Sequence, residues 1–165
     1  MGVGVALSFC GGVAYGGGTE PQEQWANPTA TWQEGSIIYC SATKARVANG
    51  PYDKGATTAF VYSSTGDVSC ALALVHTEKA AGNLKAKAQY YHRDEQSGVW
   101  GLCWGSGWEF NDQPGWTFKS YREWQNNQPC GSGRYRTTAF GGVKHDGNFE
   151  GDNVDATTDW HNVDG

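Results

Sequence analysis

Three polar residues near the end of the chain, Arg136, His145 and Asp146, are of types that bind substrates and transfer protons. They belong to the stretch RYRTTAFGGVKHDG, residues 134–147, in which apolar and polar positions alternate with period two. This alternation predicts a half-buried strand that ends in a tight turn, because Asp-Gly pairs suit short hairpin loops. We therefore interpret the segment as a structural hairpin with Arg136 on its outer face.

The same turn opens a pattern of oxygen ligands that is typical of calcium loops. Asp146, Asn148 and Glu150 occupy alternate positions, and Gly151 follows them. A calcium loop of this kind needs a bidentate glutamate at its twelfth position, where this sequence has Thr157. The sequence therefore predicts a turn without a metal site, and it contains no motif for another cofactor.

Two glutamates, Glu109 and Glu123, are the best candidates for acid catalysis because each follows or precedes a tryptophan. Glycosidases use two carboxyl groups that flank one cleft, and aromatic rings stack on the faces of sugar rings. The neighbouring stretch WGSGWEFNDQPGWTF, residues 104–118, suggests a surface of this kind. No serine nucleophile motif accompanies the histidines. The sequence thus favours a binding protein without catalytic residues, with a carbohydrate-active protein as the alternative.

The chain contains 8 tryptophans, and each of them either fills the core or contributes to a contact surface. Because large rings are usually well buried, we expect most of the central ones to fill the core: Trp100, Trp104, Trp108 and Trp116. The rings left over would form a patch that contacts a protein partner or a glycan. Four residues are the candidates for partner binding: Trp25, Trp32, Trp104 and Trp116.

The composition is typical of a β-protein, with 24 glycines, 8 tyrosines and a single methionine. Short segments with strand patterns follow one another along the chain, separated by turn residues: 36–42, 57–63, 67–75, 83–92, 99–105, 107–111, 115–121, 134–144 and 148–154. In the clearest of them Leu84, Ala86, Ala88 and Tyr90 share one face. This series predicts a single domain over residues 35–165, an antiparallel β-sandwich or a flattened barrel.

Both ends of the chain lack such patterns. Residues 1–18 are apolar and then glycine-rich, which suggests a truncated secretory leader or, alternatively, a strand. Residues 19–34 contain two prolines and two isolated tryptophans, so we predict an extended arm that inserts into a partner. The acidic tail is predicted to be a solvated terminus; its aspartates are Asp152, Asp155, Asp159 and Asp164.

The sequence has five cysteines, of which Cys10 belongs to the leader-like segment. The other four lie in or beside strand-like segments: Cys40, Cys70, Cys103 and Cys130. An even number of this kind predicts two disulfides in a secreted protein. Three pairings are open, and the order of the strands favours Cys40–Cys70 and Cys103–Cys130. The net charge of -5 argues against nucleic acid or an anionic membrane as partner. No run is apolar and long enough to span a bilayer.

The stretches AKAQYYHRDEQSGVWGLCWGSGWEFND and QPCGSGRYRTTAFGGVKHDGNFEGD resemble a group of small secreted proteins of Streptomyces and related actinobacteria. The resemblance covers residues 86–151 and rests on a cysteine, turn glycines and aromatic residues. It departs from the group's pattern at NFEGD, residues 148–152. Among such proteins are the adaptor subunits of umbrella toxin particles, which link a lectin-like subunit to a large toxin. The resemblance therefore implies a secreted adaptor whose partners are toxin and lectin-like subunits.

Overall fold

The computed structural model describes residues 21–49, 54–66, 75–124 and 127–163. These ranges contain twelve strands and no helix. The described residues therefore include no helix long and apolar enough to cross a membrane. The strands are β1 Gln22–Glu34, β2 Ile37–Asn49, β3 Lys54–Gly66, β4 Val75–His76, β5 Leu84–Arg93, β6 Trp100–Gly105, β7 Glu109–Phe110, β8 Thr117–Glu123, β9 Gly133–His145, β10 Asn148–Glu150, β11 Asp155–Thr157 and β12 His161–Val163.

The strands form two antiparallel sheets that pack face to face. In the first sheet β1 pairs with β2 and β2 with β3, while β4 and β8 share the other edge of β3. In the second sheet β9 pairs with β5 on one edge and with β10, β11 and β12 on the other. Strands β6 and β7 complete it beyond β5. The sheets do not close into a barrel, so the predicted sandwich is confirmed and its barrel alternative is not formed.

The alternation read from the sequence places the core between the sheets. All four residues predicted to face inward from β5 are fully buried: Leu84, Ala86, Ala88 and Tyr90. Their partners in β9 are Val143, Gly141, Ala139 and Thr137, which occupy alternate positions and so share one face. Period-two burial of this kind fixes the register, because a shift by one residue would expose the whole apolar set.

Small side chains fill most of the space between the sheets, with Ala45, Ala59 and Ala139 fully buried at its centre. The hydroxyls of Thr57 in β3 and Thr137 in β9 form a buried hydrogen bond of 2.7 Å between the sheets. Neither hydroxyl is therefore left unsatisfied in the core, which would cost stability. The small residues also let the two backbones approach each other closely.

One end of the sandwich has an aromatic core instead. Tyr90 and Tyr135 are fully buried and stack at 4.4 Å between ring centroids. Trp124 stacks on Tyr90 at 4.8 Å, and Trp104 meets Trp124 edge-on at 5.5 Å. The rings thus pack in the offset and edge-to-face arrangements that aromatic pairs prefer.

The predicted disulfide Cys103–Cys130 is present and links β6 to the loop before β9, with 5.9 Å between the Cα atoms. Cys40 is fully buried and is not a free thiol. Cys70 lies outside the described residues, so the pairing Cys40–Cys70 stays a prediction. The leader interpretation of residues 1–18 also falls outside the described part of the chain, as does most of the strand predicted at 67–75.

The prediction that residues 19–34 form an arm separate from the domain is wrong, because most of this segment is a strand of the sandwich. Residues 22–34 form β1, which pairs with β2 on both sides of a bulge between Ala26 and Ala30. The tail was likewise predicted to be solvated, but β11 and β12 pair with β9. Ala156 and Val163 of these strands are each 2% exposed. Backbone pairing thus orders both segments although their side chains are mostly polar.

The close approach of the sheets gives a direct test of the packing. A β-carbon at Gly141 would lie 2.6 Å from Thr43 Oγ1 and 2.7 Å from Val61 Cβ. We expect Gly141→Ala to lower the free energy of unfolding by about 1–3 kcal/mol, as overpacking does. In Gly101→Ala, the control, the new β-carbon would meet nothing within 4 Å. Urea unfolding that gives equal stabilities for both variants would contradict the close packing.

Candidate functional site

The outer face of the first sheet carries large aromatic side chains. Ala59 and Val61 of β3 are fully buried between the sheets, so Phe60 and Tyr62 project from the opposite face. Tyr62 pairs with Ala42 of β2, and Trp25 in β1 lies over Tyr62 at 5.0 Å between ring centroids. Three neighbouring strands thus place their aromatic and small residues on one surface.

A cleft of about 140 Å³ opens on this surface. We call it the aromatic cleft; it is lined by Trp25, Asn27, Ala42, Tyr62, Ser64, His76 and Trp116. Trp25 is 46% exposed and Trp116 is 36% exposed, so both rings are open to a ligand. A cleft with aromatic walls and a few polar groups is the usual form of a small-molecule site.

Backbone hydrogen bonds hold the two sides of the cleft. Ser63 donates its N–H to the carbonyl of Trp116 at 2.8 Å, and Thr77 donates its own to the carbonyl of Ser63 at 3.0 Å. His76 and Trp116 therefore both attach to the same edge of β3. Their rings stack at 3.5 Å with an angle of only 3° between the planes. This stack fixes the plane of the Trp116 ring before any ligand arrives.

Among the described residues, the lining of the cleft contains no carboxylate, lysine or arginine, and the charges next to it are paired with each other. Lys44 Nζ lies 3.3 Å from Glu23 Oε2, and Arg46 Nε lies 3.5 Å from Glu23 Oε1. Burial and the Glu23 carboxylate raise the pKa of Tyr62 above its usual value. The phenol therefore stays protonated at neutral pH and keeps its hydrogen-bond donor.

Two of the four tryptophans predicted to bind a partner lie in this cleft, and two do not. Trp25 and Trp116 are the cleft residues. Trp32 lies seven positions after Trp25 in the same strand and packs against the core, stacked between Tyr39 and His145. Trp104 packs against both core clusters. The four residues therefore form no common surface.

The expectation that most central tryptophans fill the core is also wrong. Trp104 does so, but Trp100 and Trp108 lie over the outer face of the second sheet. Arg136 stands 4.4 Å from the Trp100 ring centroid, and Lys87 stands 4.9 Å from that of Trp108. Cation–π contacts of this type attract the face of each ring to a charged side chain on the outer face of the sheet.

The residues from which the sequence analysis began do not converge on one site. Arg136 and His145 are nine residues apart in β9, roughly 30 Å in an extended strand. Asp146 and Gly147 have positive φ angles of 45° and 84°, so the predicted hairpin turn between β9 and β10 is confirmed. His145 Nδ1 lies 3.0 Å from Glu34 Oε1 and thereby ties the hairpin to β1.

The described residues also contain no group of three or more His, Cys, Asp or Glu side chains placed to hold a metal ion. The two candidate catalytic glutamates lie in different sheets, Glu109 paired with Ala86 of β5 and Glu123 paired with Ala56 of β3. Neither of them lines the aromatic cleft. Glu123 instead accepts a hydrogen bond of 2.8 Å from the hydroxyl of Tyr121.

Sequence reasoning missed Tyr62 and His76 as parts of the site. The signal for Tyr62 was present in the stretch AFVY, residues 59–62, whose alternation leaves Phe60 and Tyr62 on one face. His76 lies in a strand of only two residues, which carries no periodic pattern. Comparison of the chain with protein-family models, with curated proteins and with solved structures finds no match in any of the three.

Trp25 of β1 is exposed and Trp32 of the same strand packs against the core, and this difference leads to a prediction about stability. We expect Trp32→Ala to lower the free energy of unfolding by about 2–3 kcal/mol, slightly less than for a fully buried ring. The matched variant Trp25→Ala removes an exposed ring from the same strand and should cost less than about 1 kcal/mol. Thermal and urea unfolding compare the two, and the reverse order would contradict the assignment of inner and outer faces.

Proposed function

We propose that this protein is a secreted, non-enzymatic module that binds carbohydrate through the aromatic cleft. The observation that carries the proposal is the pair of exposed rings, Trp25 and Trp116, held on either side of Tyr62 at 5.0 and 5.8 Å between centroids. Rings fixed in this way offer flat apolar surfaces to the C–H faces of a pyranose. Secretion is supported by the disulfide Cys103–Cys130.

The polar groups of the cleft suit a ligand with hydroxyl groups. The amide of Asn27 and the hydroxyls of Ser64 and Tyr62 lie in or beside its lining, and each of them can donate and accept. Among the described residues the lining contains no carboxylate, lysine or arginine, and the neighbouring Lys44 and Arg46 both form ion pairs with the carboxylate of Glu23. These features favour a neutral glycan over an anionic one.

Retention on polysaccharides tests this function. We expect the wild-type protein to be held by insoluble chitin or cellulose, and Trp116→Ala to weaken the apparent affinity at least about tenfold, the loss of roughly 1.4 kcal/mol. Leu102→Ala is the control, since Leu102 is 54% exposed and lies in β6, in the other sheet. Equal retention of both variants would contradict the site, as would binding to alginate or to a polyproline peptide in place of neutral polymers.

The adaptor role implied by the resemblance is a second proposal, and it no longer depends on a free arm. In the described part of the chain β1 is the outermost strand of the first sheet, and edge strands accept a further strand from a partner. Capture of partners from culture supernatant separates the two proposals. A contact through the edge of β1 survives the double substitution Trp25→Ala and Trp116→Ala, whereas capture through a glycan is lost.

A further inference from the structure

The aromatic surface of the first sheet continues beyond the cleft along β3. Phe60 lies two residues before Tyr62 on the same face, and their rings stack at 6.1 Å with an angle of 22°. Trp116 lies on the other side of Tyr62 at 5.8 Å and 35°. The three rings therefore form a row of moderately tilted planes that runs from Phe60 and Tyr62 on β3 to Trp116 in the segment beside its edge. We call Trp116, Tyr62 and Phe60 the aromatic row.

A second, shallower depression lies at the Phe60 end of this row. It has a volume of about 410 Å³ and is lined by Phe60, Thr117, Phe118 and Lys119. Thr117 pairs with Tyr62, and Lys119 pairs with Phe60, so the depression directly adjoins the cleft. We call it the Phe60 groove. Its lining combines one outward ring, Phe60, with the ammonium group of Lys119, which can donate hydrogen bonds to sugar oxygens. The hydroxyl of Thr117 donates to the carbonyl of Val61 at 2.9 Å and can accept a hydrogen bond from a sugar.

Lys44 fixes the geometry between the two depressions. Its ammonium group stands 5.2 Å from the ring centroid of Trp25 and 4.6 Å from that of Phe60. The same group donates to both carboxylate oxygens of Glu23 at 3.3 Å. A cation shared by two rings and a carboxylate restrains all three side chains. This contact thus links one ring of the aromatic cleft, Trp25, to the ring of the Phe60 groove.

We propose that this surface is a binding site for an extended, linear neutral glycan, with one subsite in the aromatic cleft and another in the Phe60 groove. This inference rests on the proposed function and adds the class of ligand. The rings of the row stand 6.1 and 5.8 Å apart between centroids, so a chain of sugars lying across them would contact Phe60, Tyr62 and Trp116 in succession. A single sugar or a disaccharide would fill only the cleft.

Titration with cello- and chito-oligosaccharides of increasing length tests the proposal. We expect the association constant in isothermal titration calorimetry to rise at least tenfold between the disaccharide and the hexasaccharide. Phe60→Ala should remove this gain, so that it weakens hexasaccharide binding more strongly than disaccharide binding. Trp116→Ala should weaken binding at every length. Phe60→Leu keeps most of the apolar volume but lacks the ring, and it should also lose the gain in affinity with chain length. This variant keeps the test valid if Phe60→Ala fails to fold.

Two outcomes would overturn the extended site while leaving the proposed function standing. One is an affinity that does not depend on chain length although Trp116→Ala weakens it. The other is a Phe60→Ala variant that binds every length more weakly by the same factor. If the wild-type protein binds neither series nor the insoluble polymers, both the extended site and the proposed function are wrong.

Discussion

The close contact between the two sheets is the constraint on which the rest of the structure depends. It requires small residues at the centre of the sandwich. Two observations show how little space is left there: Thr57 and Thr137 form a hydrogen bond between the sheets, and a β-carbon at Gly141 would collide with Thr43 and Val61. A large ring placed there would force the backbones apart at a cost in stability. In the described part of the chain the fully buried Tyr90 and Tyr135 therefore lie at one end of the sandwich, while Trp32 and Phe118 only border the central cluster.

The two outer faces use their rings differently. On the second sheet several large rings are paired with a cation: Arg136 stands over Trp100, and Lys87 is shared by Trp108 and Phe140. Those rings and charges satisfy one another and cover the sheet. On the first sheet Lys44 lies beside Trp25 and Phe60 and Lys119 lies over Tyr121, whereas the exposed rings of Trp25 and Trp116 border an open cleft. This difference is why we place binding on the first sheet.

The sequence predicted the parts of the fold that depend on strong alternation and on turn chemistry, such as the inward set of β5 and the turn at Asp146. It did not predict β1, because an edge strand buries few side chains and so shows no apolar periodicity. The cleft was only half predictable. Trp25 and Trp116 were candidates because they are tryptophans. Trp32 is also a tryptophan and lies in β1 with Trp25, and only the register of β1 shows that its side chain packs against the core and not in the cleft. His76 joins the site through pairing with Ser64, which no local pattern reveals.

The central claim is that the open rings of the first sheet, and not the packed ones, meet the ligand. The most direct measurement is a nuclear magnetic resonance titration that follows the indole N–H signals of the 8 tryptophans as cello- or chito-hexasaccharide is added. The account predicts that the signals of Trp25 and Trp116 shift with increasing ligand while those of Trp32 and Trp104 stay in place. Shifts confined to Trp100 and Trp108 on the opposite sheet, or no shift in any signal, would contradict it.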